Sequence, residues 1–371
     1  MIAVMRLIAA SRTKLNSTRA NLVQSLNTVA ALGKLGLDVT LFVPPSQCAV
    51  GIGDRVRSFG IEAALDVRES RLLHSRYNLW PFVRFYAREL RAADAVHVRS
   101  VALSKRLADR KIPHGLEIHA PEVELVHDGR LRAVVESHRD GWIRWLFPIS
   151  RAGAEILIRG GAVPERVRVI PSGVDPAAFR ELPAWEPPPA GEPPEVIYLG
   201  RLHDDRGLAI LAALARRGEA RVTLVGELEQ AVRETDWLRV LPQISHREVP
   251  TWWGRSHLAL LPYQRSQVTA AAMSPLKVLE AMAAGRPIIA SDLPALREIL
   301  VPGRTALFVE PDDVDAWVAA VRRIANDPEL GRALATAARA EVEAYTWDAR
   351  ARRIAAAYGW RDDATARSTS T

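Results

Sequence analysis

Two rhythms of apolar residues alternate along the chain. Short runs of consecutive apolar positions, the mark of strands buried on both faces, fall at residues 2–10, 38–43, 95–98, 115–118 and 145–149. They return at 196–199, 221–225, 237–241, 257–261, 288–290 and 305–309. Between them lie stretches of helical spacing. In 18–35, Leu22, Leu26, Val29 and Ala30 share one face before Gly36, and similar patterns cover the segment before Arg217, the alanine-rich region to about Tyr345, and 347–358. Strand, helix and strand at short intervals predict an α/β fold with doubly wound parallel sheets.

The pattern occurs twice, and the break is compositional. Residues 182–194 hold six prolines, which reads as a stiff connector. The expected organisation is a Rossmann-like domain over 1–181, a linker over 182–194 and a second Rossmann-like domain over 195–345. Residues 346–371 then supply a terminal helix that crosses back to the first domain, followed by a polar, frayed tail.

The densest information lies in 271–292. Ser274 is a preferred N-cap type and Pro275 suits the first helical position. Leu276, Leu279, Met282 and Ala283 repeat at helical spacing until Gly285. A helix start offers free N–H groups and a positive dipole end, which suits phosphate. Glu280 would sit roughly 7–8 Å along the axis from Pro275. That distance matches one sugar unit, so a carboxylate there can accept both hydroxyls of a ribose.

Composition narrows the class. With 371 residues, 48% hydrophobic and 25% charged, the chain suits about two globular domains. No apolar run approaches the ~20 residues of a membrane span. Arg6 splits the first apolar run, which favours a strand over a signal peptide. The single cysteine, Cys48, excludes an internal disulfide framework and suits a reducing cytoplasm. A net charge of +7 favours anionic partners, but the basic residues are scattered and no nucleic-acid motif occurs, so nucleic acid is not expected. Between 68 and 91, six arginines face two glutamates and interleave with Tyr77, Trp80, Phe82, Phe85 and Tyr86. An amphipathic helix of this kind either lies peripherally on the inner face of a membrane or turns its aromatics into a core.

Several of these residues together resemble the retaining glycosyltransferases of family 4, which have the GT-B fold: two Rossmann-like domains facing a central cleft. Glu280 and the run Ala-Met-Ala-Ala-Gly-Arg-Pro that follows match the second half of the family signature. The signature's first glutamate falls at Ala272, and the usual glycine-rich approach is replaced by Met273, Ser274, Pro275 and Leu276. Pro171-Ser172-Gly173-Val174-Asp175 resembles a second family segment, and Gly200-Arg201-Leu202 through Arg206-Gly207 a third, with Arg206 in place of lysine.

The resemblance implies a nucleotide-diphosphate sugar as donor substrate and no other cofactor. Arg201 and Arg206 would grip the diphosphate beside the helix start at Ser274 and Leu276, Glu280 would hold the ribose, and the backbone near Ile244 would meet the base. His119, at the end of a strand, matches a histidine placed near the donor sugar. Arg99 ends a neighbouring strand, and ligands gather at strand carboxyl ends. The loop 11–17, without glycine here, faces the acceptor in the family, so Lys14, Ser17 or Thr18 either touches acceptor or, for Ser17, caps the helix. Arg201, Arg206 and the helix start can stabilise the departing diphosphate without a metal. No clustered metal-ligand set occurs in the sequence. Ala272 keeps a second reading open, a nucleotide-sugar-binding or partner subunit with weakened transfer, and a GT-B-fold epimerase is a third.

Overall fold

The computed structural model describes residues 4–17, 20–46, 50–74, 78–125, 129–229 and 232–360. Ile2, Thr18, Cys48, Tyr77 and the tail from Arg361, all invoked above, lie outside the described residues. Two compact units emerge: Met1–Ser172 with Trp347–Thr371, and Gly173–Thr346.

The first unit is built on a six-stranded sheet: β1 (Arg6–Ala10), β2 (Asp38–Val43), β3 (Asp66–Glu69), β4 (Ala95–Val98), β5 (His114–Ile118) and β6 (Ile143–Pro148). Every pair is parallel, and the spatial order is β3-β2-β1-β4-β5-β6. The winding reverses between β1 and β4, the place where open α/β sheets leave a crevice at strand carboxyl ends. Alternation along the strands sets the two faces. Val96, Val98, Leu116 and Ile118 enter one buried cluster with Phe82 and Leu103. His97 and Glu117 point the other way, where Glu117 meets Arg350 of the helix Trp347–Ala357 and His97 meets Tyr358 just past its end.

Two expectations need correction in this unit. The first strand begins at Arg6, so Val4 and Met5 are not part of it. The basic, aromatic stretch 68–91 is not one amphipathic helix. Its described residues contain the end of β3, a 3-10 turn at Arg71–Leu73 and two short helices, Trp80–Phe85 and Ala87–Ala92. Phe82 and Tyr86 turn inward and pack against Phe42, edge-on and tilted, with ring centroids 5.5 and 4.7 Å away, because burying aromatic area outweighs an unbroken helical repeat. Phe85 remains exposed, and Arg110 covers the Trp80 ring at 4.3 Å.

The second unit repeats the winding with β7 (Glu195–Leu199), β8 (Arg221–Val225), β9 (Leu238–Leu241), β10 (Ala259–Leu261), β11 (Ile288–Ser291) and β12 (Leu307–Val309). These form two parallel three-stranded sheets joined by a Val196–Leu258 bridge, which sets β7 beside β10 at the reversal. Ile197 and Leu199 pack with Trp253 and Val278 on one side, and Val196 and Tyr198 with Trp317 on the other.

The proline-rich stretch is not a free connector, since the changeover between units falls earlier, at Ser172 and Gly173. Trp185 is buried and its indole donates to the His257 carbonyl at 2.7 Å, while Arg286 donates to the Pro183 carbonyl at 3.0 Å. A Cβ on Gly331 would come within 2.3 Å of that indole. Proline content stiffens a segment, but one aromatic with a fitted slot binds it to the unit it touches. Helix Trp347–Ala357 packs against helix Ala20–Lys34 and belongs to the first unit. No described helix is long and apolar enough to cross a membrane.

Candidate functional site

In the second unit, the reversal between β7 and β10 gathers the charged residues. The loop after β7 is drawn tight by glycines: a Cβ on Gly226 would lie 1.9 Å from the Gly200 carbonyl oxygen, and one on Gly207 2.0 Å from that of Pro262. Gly207 also has φ +77°, a conformation side chains resist. These approaches fix the 3-10 turn Asp204–Arg206 against the segment leaving β10. Asp205 is the hub, accepting from His203 Nδ1 at 2.8 Å and pairing with Arg201 and Arg206 at 3.5 Å each. Arg201 also reaches Glu229 at 3.4 Å, and Arg206 lies 5.5 Å from the Tyr263 ring centroid.

The helix Leu276–Ala283 faces this loop. Its N-cap position is Pro275, extended and without a side-chain capping bond, so the expectation of Ser274 as cap is corrected. Ser274 is buried one residue before that position. Leu276 is half-buried at the first helical position, and Ile244 is half-buried in the loop after β9. Glu280 is buried and accepts from Trp253 Nε1 at 3.3 Å. Ala272 is fully buried, with its N–H donating to the Thr269 carbonyl at 3.2 Å.

Three residues before Glu280, Lys277 donates to Tyr198 Oη at 2.9 Å. Burial and then Arg206 push its pKa down to about 7, against the opposing pull of Glu280. Lys277 and Arg206 flank the same Tyr263 ring, 5.8 and 5.5 Å from its centroid, and Arg206 shares Asp205 with Arg201 at 3.5 Å each. Burial also raises Tyr198 well above the usual phenol value and Tyr263 to about 12.

In the first unit, Arg99 and His119 follow β4 and β5 at their carboxyl ends. Beneath them lies a buried ionic network. Glu117 accepts from Arg350 at 2.5 Å, from His97 Nε2 at 3.1 Å and from His119 Nε2. Burial alone would raise the Glu117 pKa, but Arg350, His119 and His97 outweigh it and hold the carboxyl well below its usual range. Arg350 further donates to Thr28 Oγ1 at 2.9 Å and to the Ile170 and Pro171 carbonyls at 2.8 Å. Burial, then Arg99, lowers His119 to about 4, so its imidazole is neutral at ordinary pH. Arg99 itself donates to the Asn21 carbonyl and Oδ1 at 2.9 and 2.8 Å. The adjoining cavity, lined by Gln24, Thr28, His97 and Glu117 among others, holds about 30 Å³ and is far below sugar size. Lys14 is exposed, while Ser17 is half-buried with its carbonyl accepting from Arg55 at 3.2 Å.

Comparison with known proteins fits each unit to one half of a known architecture. The family described as "Glycosyl transferases group 1" matches residues 193–327, and "Glycosyltransferase Family 4" matches residues 23–178. The chain belongs to these glycosyltransferase families. Its fold is α/β and of the GT-B type. Sucrose-phosphate synthase from Thermosynechococcus elongatus superposes with TM-score 0.72 at 19% identity, over 96% of this chain and 98% of that one. Anabaena HepE, in complex with UDP and glucose, superposes with TM-score 0.71 at 14% identity, over 96% and 99%. Phosphatidyl-myo-inositol mannosyltransferase from Mycolicibacterium smegmatis is 32% identical over 190 residues, which is 48% of each chain. The chain spans about half the length of curated relatives such as this one.

For this group 1, family 4 chain, the structure brings Arg201, Arg206 and Glu280 to one patch of the second unit, and Arg99 and His119 to neighbouring strand ends of the first. It places Lys14 and Ser17 in the loop after β1. Sequence reasoning missed Lys277, Asp205, Glu117 and Arg350. Lys277 carried one available signal, since it lies three residues ahead of Glu280 and so on nearly the same helical face. Arg350 lies 233 positions from Glu117, and no local pattern joins them.

Proposed function

We propose that the protein is a glycosyltransferase that moves a hexose-type sugar from a nucleotide-diphosphate donor to a glycan, lipid-linked or small-molecule acceptor, with retention of anomeric configuration. The observation that carries this reading is the pairing of Arg201 and Arg206 through Asp205, with Arg206 sharing the Tyr263 ring with Lys277 of the helix that bears Glu280. Breaking the bond between sugar and diphosphate leaves a departing negative charge. Fixed guanidinium groups stabilise that charge more in the transition state than in the ground state, which is what lowers a barrier. Arginine pairs bidentately with phosphate, so Arg206 retains the electrostatic task of the family's lysine. Glu280, anchored by Trp253, offers its remaining lone pairs to ribose hydroxyls. The departing phosphate is assigned the acceptor proton, so no protein base is needed. His119 is assigned to the sugar, as a neutral imidazole whose Nε2 is already engaged by Glu117 and whose other nitrogen can meet a hydroxyl.

UDP-bound HepE supports a nucleotide donor by analogy of fold alone. The buried Ala272 methyl, where the family places a carboxylate, favours one alternative: a nucleotide-sugar binder with little or no transfer. A thermal-shift screen with UDP, GDP, ADP and their hexose conjugates, followed by assay for release of nucleoside diphosphate, separates these readings. A ligand that binds only the folded state raises its apparent stability. Release that is lost on Glu280→Ala supports the transferase, and tight binding without release supports the binder. Absence of any thermal shift overturns both.

A further inference from the structure

Lys277 has no part in the assignment above, yet its surroundings are not those of a surface lysine. It stands at the second position of the helix Leu276–Ala283, with its ammonium 4.3 Å from the Tyr198 ring centroid and 5.8 Å from that of Tyr263. A Cβ on Gly200 would lie 2.9 Å from Nζ, so the first backbone position beyond β7 abuts the ammonium itself. One of its three donors goes to Tyr198 Oη. Nearby carboxylates are committed elsewhere: Asp205 to Arg201, Arg206 and His203, and Glu280 to Trp253. The result is three basic groups converging on one spot.

We propose that Lys277 is a third cation of the donor site, binding diphosphate oxygens beside Arg206 and taking up a proton as the donor arrives. This rests on the nucleotide-sugar reading above. The groups facing Lys277 are Tyr198 from β7, Arg201, Asp205 and Arg206 from the following loop, Tyr263 after β10, and Glu280 from its own helix. Without donor, burial and Arg206 keep the amine poised to lose its proton near neutrality, and a diphosphate dianion reverses that balance. The proton comes from solvent and no covalent bond changes. Donor affinity is therefore full below the free amine's pKa of about 7 and falls as pH rises through the higher value that the bound anion imposes.

The test is calorimetric binding of UDP-glucose, GDP-mannose and ADP-glucose to the full chain at pH 7, each in two buffers of different ionisation enthalpy. These diphosphate diesters do not titrate near pH 7, so proton uptake reports the protein. Expected is uptake of about half a proton by the wild type. Lys277→Met should bind about tenfold or more weakly with no uptake. Lys277→Arg should bind well, also with no uptake, and guards against a Met variant that is merely unfolded. Equal uptake in the wild type and Lys277→Met, or equal affinity, overturns the role of Lys277 while leaving the donor reading intact. Failure of all three sugar nucleotides to bind the wild type overturns the donor reading itself.

Discussion

Replacing Arg350 by Met would strand the Glu117 carboxylate where water does not reach, since the two side chains are only 1% and 4% exposed. The variant loses the 2.5 Å bond to Glu117 and leaves the Ile170 and Pro171 carbonyls without their guanidinium donor. Removing one member of a buried ion pair costs about 3–5 kcal/mol, because the remaining charge stays desolvated. Each kcal/mol shifts the melting temperature of a domain this size by roughly 2–4 °C, so the first unit should melt about 6–20 °C lower. Differential scanning calorimetry reads this directly, and a transition assigned to the second unit should hold its place. The double variant Glu117→Gln with Arg350→Met carries no stranded charge and should recover part of the loss. Because the folded state depresses the Glu117 pKa, the pair's contribution is present above the unfolded value, about 4.3, and is lost as pH falls through the folded value. The gap between wild type and Arg350→Met should accordingly narrow in acid. A loss below about 1 kcal/mol, or a double variant no more stable than Arg350→Met, would refute the reasoning.

His119 should remain neutral from pH 8 down to pH 5, and long-range nitrogen–proton NMR should find its pKa near 4; a value above 6 contradicts the burial argument. Since unfolding lets this histidine take a proton near 6.5, its presence lowers stability progressively as pH drops from there toward 4. Gly207→Ala forces a Cβ to within 2.0 Å of the Pro262 carbonyl at φ +77°, and should cost about 1–3 kcal/mol or more in urea unfolding; an unchanged midpoint would show that the loop can shift. Glu280→Gln keeps a carbonyl oxygen for the Trp253 indole, so the fold should persist while nucleotide affinity drops about tenfold to a hundredfold. Affinity at the wild-type level would remove Glu280 from ribose binding.

The sequence by itself determined the described strands except β3, because a parallel sheet covered on both faces demands runs such as 95–98 and 221–225 that are apolar without interruption, and it marked the helices Ala20–Lys34, Leu208–Arg216, Leu276–Ala283 and Trp347–Ala357. It also carried the loop residues Arg201 and Arg206 and the helix bearing Glu280, whose chemistry depends on short-range order after a strand. Tertiary structure decided what depends on partners distant in the chain. The stretch 68–91 broke into two short helices because Phe82 and Tyr86 had a core to join, and residues 182–194 stopped being a linker because Trp185 had a slot. Glu117 reads as one more residue of an apolar strand until Arg350 arrives from the far end of the chain, and Lys277 reads as a solvated lysine until Tyr198 and Gly200 close on it. Burial and charge are sums over neighbours, and most of those neighbours are contributed by segments that a local pattern does not contain.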